Sequence, residues 1–580
     1  MIRNWLLKLK NFGIKAYQGL RLLPKLSRSQ ILSTFEAFQK KDLIAIVGLG
    51  GLFFIAVILL LTTRAGFSNG PGYGGEITEG LVGQPRFINP VYASASSIDS
   101  DLTKVMFAQL LKFDKDLNLV PDLAESLPEV SADQKTYTIK LKPNLKWQDG
   151  KPLLADDVVF TINVIQNPDY ESPLRANWAR VKVEKIDDLT VKLTLREVSA
   201  SFLTNFTLGI LPKHVWEGLT PNGFRLSDNN LKPVGSGPFS IREIKKTSDG
   251  TIKSLTLKAN DFYHEGRPYL NRMTFKFYDD NDQLVAAFHG KDIANIGYVP
   301  FDKKTFVEDS ERSSQYRINL PQYEAVFFNL KNPVLADKAV RQALWLTTDR
   351  KKIVDEVYMG FSKETYGPIL VGNLGYNPEV ETRTHNSLTE AIDILNRGGW
   401  ALDPTTNIRV KNKRPLEINL ATNNFVLNVK TAQVLESQWE ALGAQVNLVI
   451  VSANELEQQY IRPRNFEALL FAENTGPDPD PFAFWHSSQS RDPGLNLSGF
   501  SNAEVDKLLT TARQTNDVNV RAKNYQQFQL IVLDQLPAIF LNSAIYVYNT
   551  PPKLKGIDLE TIIHPSERFL DVKNWYTETK

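Results

Sequence analysis

The 580-residue sequence contains no cysteine. That absence excludes disulfides, thiolate metal sites, cysteine nucleophiles and a lipid-modified cysteine. Histidine is scarce, with His214, His264, His289, His385, His486 and His564 as the full set, and no two stand at the i, i+4 spacing of a zinc-binding helix. HExxH, Walker, GxSxG and HRD-type motifs are missing as well. A site assembled from distant residues stays open, but no catalytic residue, metal or cofactor is marked, so binding is the expected activity rather than catalysis. A strong excess of one charge is also lacking: 67 Lys and Arg stand against 65 Asp and Glu, net +2. The balance hides an asymmetry, because the first 42 residues hold nine basic residues against only Glu36 and Asp42. The remainder is then mildly acidic, and without a basic stripe it argues against nucleic acid as a ligand.

One long hydrophobic run is present. Residues 43–61 (LIAIVGLGGLFFIAVILLL) carry no charge, and at ~1.5 Å per residue a helix of this length covers about 28 Å, close to a bilayer's hydrocarbon core. A secretory signal would have a shorter apolar stretch and a small-residue cleavage site. The run begins about forty residues in, so an uncleaved transmembrane helix is expected over 43–63. Arg3, Lys8, Lys10, Lys15, Arg21, Lys25, Arg28, Lys40 and Lys41 precede it and Arg64 alone follows closely, which places residues 1–42 in the cytoplasm and the large domain outside. The leading segment also alternates bulky apolar and basic residues. It reads either as a helix lying on the inner leaflet or simply as a topology signal.

Glycine is concentrated just after the anchor. Residues 66–75 (GFSNGPGYGG) form a flexible linker by composition. Beyond it, helical and strand periodicities alternate. Leu102, Val105, Met106, Leu110 and Leu111 recur at helical spacing, whereas Tyr137, Ile139 and Leu141 alternate as in a half-buried strand. Asp156 and Asp157 open an apolar-periodic stretch and suit the positive end of a helix dipole better than acid/base chemistry. Helices are expected over 281–289, 340–358, 429–442, 502–513 and 518–533, with strand-like runs around 539–548. This is a mixed α/β pattern with more than one sheet.

Residues 466–488 (FEALLFAENTGPDPDPFAFWHSS) are unusual. An apolar strand runs into a proline-interrupted polar turn holding Asn474, Thr475, Asp478 and Asp480, followed by Phe482, Phe484 and Trp485. Strand ends that deliver carboxylates and aromatics into a loop commonly line ligand clefts. The alternative is that Asp and Pro form turns and the aromatics fill a core.

Several stretches together resemble the extracellular solute-binding proteins of family 5, the peptide- and nickel-binding receptors of ATP-driven importers. They include FINPVYASASSIDSDLTKVMFAQLLKFD, WQDGKPLLADDVVFTI, PVGSGPFSI, NDFYHEGRPYLNRMTFKF, LESQWEALGAQVNL and DPDPFAFW, in order, across roughly residues 76–557. The resemblance implies an α/β, two-lobed periplasmic-binding-protein-like clamp with an extra subdomain, here preceded by one transmembrane helix. One lobe would combine residues 76–116, 231–321 and 543–580. The extra subdomain would be 117–230 and the second lobe 322–542, with hinge strands near 323–330 and 537–546. Relatives commonly use an aspartate after the strand at 468–472 to hold a peptide's α-ammonium group. Gly476 or Pro477 occupies that place, and Asp478 follows one or two residues later. Leu154 stands where relatives often have a capping Thr. The lipoprotein cysteine of many relatives is missing, and the transmembrane helix takes its place.

The expected ligand is a short peptide or similar extended solute, bound through Ser96, Ser97, Trp178, Asn474, Thr475, Asp478, Asp480 and Trp485. The expected partners are ABC permease subunits in the same membrane, with the chain itself a monomer. A membrane-tethered sensor or scaffold without transport and a surface peptidase are the competing readings.

Overall fold

The computed structural model describes residues 51, 53–56, 70–299, 313–383 and 385–579. The expected membrane span falls almost wholly outside them, and the basic segment wholly so. Among the described residues no helix is long and apolar enough to cross a membrane. Residues Pro71–Glu578 form one compact unit. The end of the glycine-rich stretch belongs to it: Gly74 N–H donates to Tyr269 O (2.9 Å) and Gly75 O accepts from Asn271 N (3.0 Å), so residues 73–75 are tied down rather than part of a free linker.

A twelve-stranded mixed sheet organises the unit. Its order runs Gln445–Val451, Glu417–Asn423, Ala468–Asn474, Gln322–Phe328, Ala538–Thr550, Asn295–Ile296, Glu76–Val82, Arg272–Tyr278, Ile252–Ala259 and Phe239–Lys246, with Ser314–Asn319 and Ser362–Glu364 also paired to Ala538–Thr550. The 13-residue strand Ala538–Thr550 joins the two halves. Its first part pairs with Gln322–Phe328, and its second part with Ser314–Asn319 and with Ile296.

Alternation explains why this region is nearly continuously apolar. Along Gln322–Phe328 and the start of Ala538–Thr550, Val326, Phe328, Ile539 and Leu541 enter one core. Tyr323, Ala325, Phe327, Ala538 and Phe540 enter another on the opposite face. Successive strand residues point to opposite faces, so a sheet covered on both sides needs hydrophobic residues at every position. A third and larger core gathers residues from 77 to 277 with others from 318 and from 546 to 575.

A separate four-stranded antiparallel sheet, ordered Glu129–Val130, Thr136–Lys140, Thr190–Leu195 and Val181–Lys185, sits in the 117–230 region. Tyr137 and Ile139 are fully buried, as their spacing predicts. The helix Ala155–Gln166 packs beside it. Leu154 at its N-cap offers no side-chain acceptor, but Asp157 supplies the reverse bond, its Oδ2 accepting from Leu154 N (2.9 Å) while Oδ1 accepts from Lys213 N (2.8 Å). The carboxylate thus serves backbone donors.

Two sequence expectations fail for tertiary reasons. The helix expected over 340–358 is broken: Lys338–Thr347 ends at Thr348, and Asp349 caps Arg350–Lys352. Trp439 Nε1 donates to Thr348 Oγ1 (3.1 Å), and Asp349 N donates to Gln438 Oε1 (3.0 Å), so the neighbouring helix Val426–Glu440 fixes the break. The helix Ser97–Met106 stops before Leu110, and Leu111–Phe113 is a strand. Met106 O accepts from Gly237 N (2.8 Å) instead of closing another helical turn. A Cβ at Gly235 would lie 1.9 Å from that same oxygen and one at Gly237 would lie 2.6 Å from Met106 C, which accounts for both glycines of PVGSGPFSI.

Candidate ligand-binding cleft

The polar loop after the strand Ala468–Asn474 reaches the 117–230 region. Ser201 Oγ donates to Asp480 Oδ2 (3.5 Å), and Asn516 N donates to Gln134 Oε1 (2.9 Å). These bonds close one side of the molecule on the other. A cavity of about 330 Å³ lies at the junction, bordered by Thr103, Lys104, Asn177, Trp178 and Asn205 and reached from the opposite side by Pro477. The size lies within the usual range for small-ligand sites. Its lining includes polar groups: Lys104 pairs with Glu567 at 3.5 Å, and the buried Thr103 Oγ1 has no partner among the described residues.

A second cavity of about 440 Å³ shares Asn177, Thr204 and Asn205 with the first and adds Arg180, Arg196 and Arg513.

The residues singled out from the sequence fall into three groups. Asn474 and Thr475 build the loop: Asn474 Oδ1 accepts from Gly476 N (2.8 Å), while Thr475 N and Oγ1 both donate to Pro321 O (2.8 and 3.0 Å). Gly476 has φ +69°, a left-handed conformation that favours glycine. Asp478 and Asp480 are ion-paired. Asp478 accepts from Arg521 Nη2, which also meets Tyr525 OH at 3.2 Å, and Asp480 lies 3.3 Å from Arg513 Nε. Burial opposes the charge on Arg521, yet the Asp478 carboxylate beside it holds the guanidinium above its ordinary range. Burial raises Asp480, with Arg513 pulling it back down. The α-ammonium role considered for Asp478 therefore meets an obstacle, because a guanidinium already occupies its carboxylate.

Trp485 is core: 1% exposed, it lies 5.8 Å from Phe540 and 6.2 Å from both Phe327 and Phe528, centroid to centroid, and presents no face to a ligand. Trp178 is also buried, against Phe202 at 5.5 Å, but borders the first cavity. Ser96 caps the helix Ser97–Met106, its Oγ accepting from Asp99 N (3.4 Å), and Ser97 is exposed at the first turn. Neither lines the cavity; Ser94 and Ser100 of the same segment do. Asn177, Asn205 and Arg513 carry no recognisable motif, and nothing in their local sequence predicts that they meet.

Two buried carboxyls sit in the strands that feed the cleft. Glu473 takes a hydrogen bond from Tyr323 OH, and burial pushes its carboxyl up to about 8. Glu324 accepts from Tyr358 OH (3.1 Å) and Asn542 Nδ2 (2.8 Å) and is pushed up by burial to about 7.

One group has metal-like composition among the described residues. Asp122, His264 and Glu265 place ligand atoms within 4.8 Å of one another. Burial disfavours a charged Glu265, but Lys112 (2.7 Å) and Lys573 (2.9 Å) hold it at about 2. Two ammonium groups at that carboxylate repel a divalent cation, and the group reads as an ion-pair network.

The model of bacterial extracellular solute-binding proteins, family 5 Middle, matches residues 118–494. The chain belongs to this family. The oligopeptide-binding protein AppA of Bacillus subtilis is 29% identical over 93% of this chain and 99% of its own length. Its structure in complex with a nonapeptide superposes with a TM-score of 0.66, covering 88% of this chain and all of that one. The ABC transporter substrate-binding protein CtaP of Listeria monocytogenes gives 0.74 at 27% identity, over 87% and 100% of the two chains. NikZ of Campylobacter jejuni, solved with Ni(L-His), gives 0.67 at 26% identity, over 86% and 99%. The α/β fold is that of the periplasmic binding proteins, and the family is one of substrate-binding proteins rather than enzymes.

Proposed function

We propose that this chain is the membrane-anchored, extracytoplasmic substrate-binding protein of an ABC importer, and that it captures short peptides or similar extended solutes between two lobes for delivery to a permease. The observation that carries the reading is the cavity at which the loop of Pro477 closes on the wall formed by Asn177, Trp178 and Asn205. The near full-length likeness to an oligopeptide-binding protein supports it. Lobe I comprises residues 76–116, 231–321 and 543–580, the extra subdomain 117–230, and lobe II 322–542. The strands Gln322–Phe328 and Ala538–Thr550 serve as the hinge. Their pairing supports this role, because Ala538–Thr550 bonds to strands of both halves. A ligand that touches both halves only when they are closed shifts the population to the closed form.

The anchor is the helix at 43–63, with residues 1–42 cytoplasmic. Phe53, Phe54 and Ile55 are helical with exposed side chains, which suits a lipid-facing surface. Tethering keeps the receptor at high effective concentration beside a permease, so a weak docking contact suffices. Native mass spectrometry of the full chain released from detergent tests the ligand: a bound peptide pool supports the reading, and a nickel chelate or another solute replaces it. Partition of the full chain into the aqueous phase without detergent refutes the anchor.

A further inference from the structure

The 440 Å³ cavity beside the first one is unusual in its charge. Its lining contains three arginines, Arg180, Arg196 and Arg513, and a single acidic residue, Glu197. Arg513 is partly neutralised by Asp480 at 3.3 Å and its Cζ lies over the Phe482 ring, 4.4 Å from the centroid. Arg180 and Arg196 are exposed and form no ion pair among the described residues. Hydroxyl and amide groups of Ser199, Ser201 and Asn205 share the same wall. Guanidinium groups bind carboxylates through paired, charge-assisted hydrogen bonds, and uncompensated arginines in a concave site are suited to that use.

We propose that this cavity is an anion subsite of the cleft, taking a carboxylate of the ligand and making the protein a receptor for acidic peptides. The inference rests on the peptide reading above and names the ligand class. The subsite adjoins the first cavity through Asn177, Thr204 and Asn205, so one extended ligand fills both. Its walls come from two parts of the chain: Arg180 and Arg196 from the 117–230 region, and Arg513 from the helix Ala503–Arg513. A carboxylate held from both sides therefore favours closure.

The test is calorimetric titration of the full chain in detergent with four versions of one pentapeptide: glutamate-containing with a free C-terminus, the same with a C-terminal amide, the glutamine version with a free C-terminus, and the glutamine amide. The expected result is binding of the most acidic version about tenfold or more tighter than the glutamine amide. Arg180→Glu and Arg196→Glu each abolish that difference, and Arg196→Lys retains part of it. A loss on amidation assigns the subsite to the terminal carboxylate, and a loss on the Glu-to-Gln change assigns it to the side chain. Equal affinity for all four overturns the subsite and leaves peptide binding standing. A preference that survives both charge reversals overturns its placement, and no binding of any version overturns the subsite together with the peptide reading.

Discussion

Replacing Glu473 with glutamine should leave stability in acid nearly unchanged and raise it progressively toward pH 8. Burial lifts the folded-state carboxyl from 4.5 to about 8. Below the lower value both folded and unfolded chains hold the proton, and the group makes no difference. Between the two values the folded protein keeps a proton that the unfolded chain has released, so stability falls by about 1.4 kcal/mol per pH unit as pH rises, and the fall ends above the folded value. Across the whole window the loss is roughly 4–5 kcal/mol. Glutamine has no proton to lose, and its amide oxygen still accepts from Tyr323. Urea unfolding of both proteins between pH 4.5 and 9, followed by tryptophan fluorescence, gives the difference directly, and the contribution of Glu324 cancels because both proteins share it. Parallel stability curves over that range would refute the buried neutral carboxyl.

Asp478→Ala removes the partner of Arg521, whose side chain is 8% exposed; stability should fall by about 3–5 kcal/mol, and binding of a free-amine peptide and its N-acetylated form should change equally, as calorimetry of the two ligands would show. A selective loss for the free amine would restore Asp478 to an ammonium-binding role. Trp485→Ala should cost about 3–5 kcal/mol through the cavity left among Phe327, Phe528 and Phe540, read as a lowered melting temperature; an unchanged melting temperature would mean the indole is not packed in the core. Gly235→Ala drives a Cβ into Met106 O at 1.9 Å, so folded yield and melting temperature should both drop, whereas Gly218→Ala, with open space but φ +89°, should cost only local backbone strain.

The sequence showed elements most clearly where local pattern and tertiary environment agree. The strand Gln322–Phe328 and the start of Ala538–Thr550 are mostly apolar because both of their faces are covered, and the helix Asn281–His289 follows its Asp280 cap and ends at Gly290. The helix expected over 340–358 was illegible as two pieces because the break is imposed by Trp439 and Gln438 from another element. Trp178 and Trp485 look alike in sequence, yet one edges a cavity and the other fills a core, a difference decided by neighbours far away in the chain. The arginine-lined cavity had no sequence signature at all: Arg180, Arg196 and Arg513 stand singly in three segments and share a wall only after the fold is complete.

The state of Asp478 and Asp480 bears on which charge the cleft admits. For a ligand's ammonium group to take Asp478, Arg521 must be left without its partner in a site where its side chain is 8% exposed. Removing one member of a buried pair costs about 3–5 kcal/mol, whereas a pair gained near the surface returns about 1 kcal/mol or less. The exchange is unfavourable unless the ligand also supplies an anion to Arg521. Asp480 faces the same constraint through Arg513, although Arg513 is more exposed and the cost is smaller. Both carboxylates are thus committed within the protein, while Arg180 and Arg196 are not. The electrostatic surplus of the cleft is therefore positive even though the chain beyond residue 42 is net negative. For a peptide ligand, as proposed above, selection by charge would then fall on its carboxylates rather than on its amine.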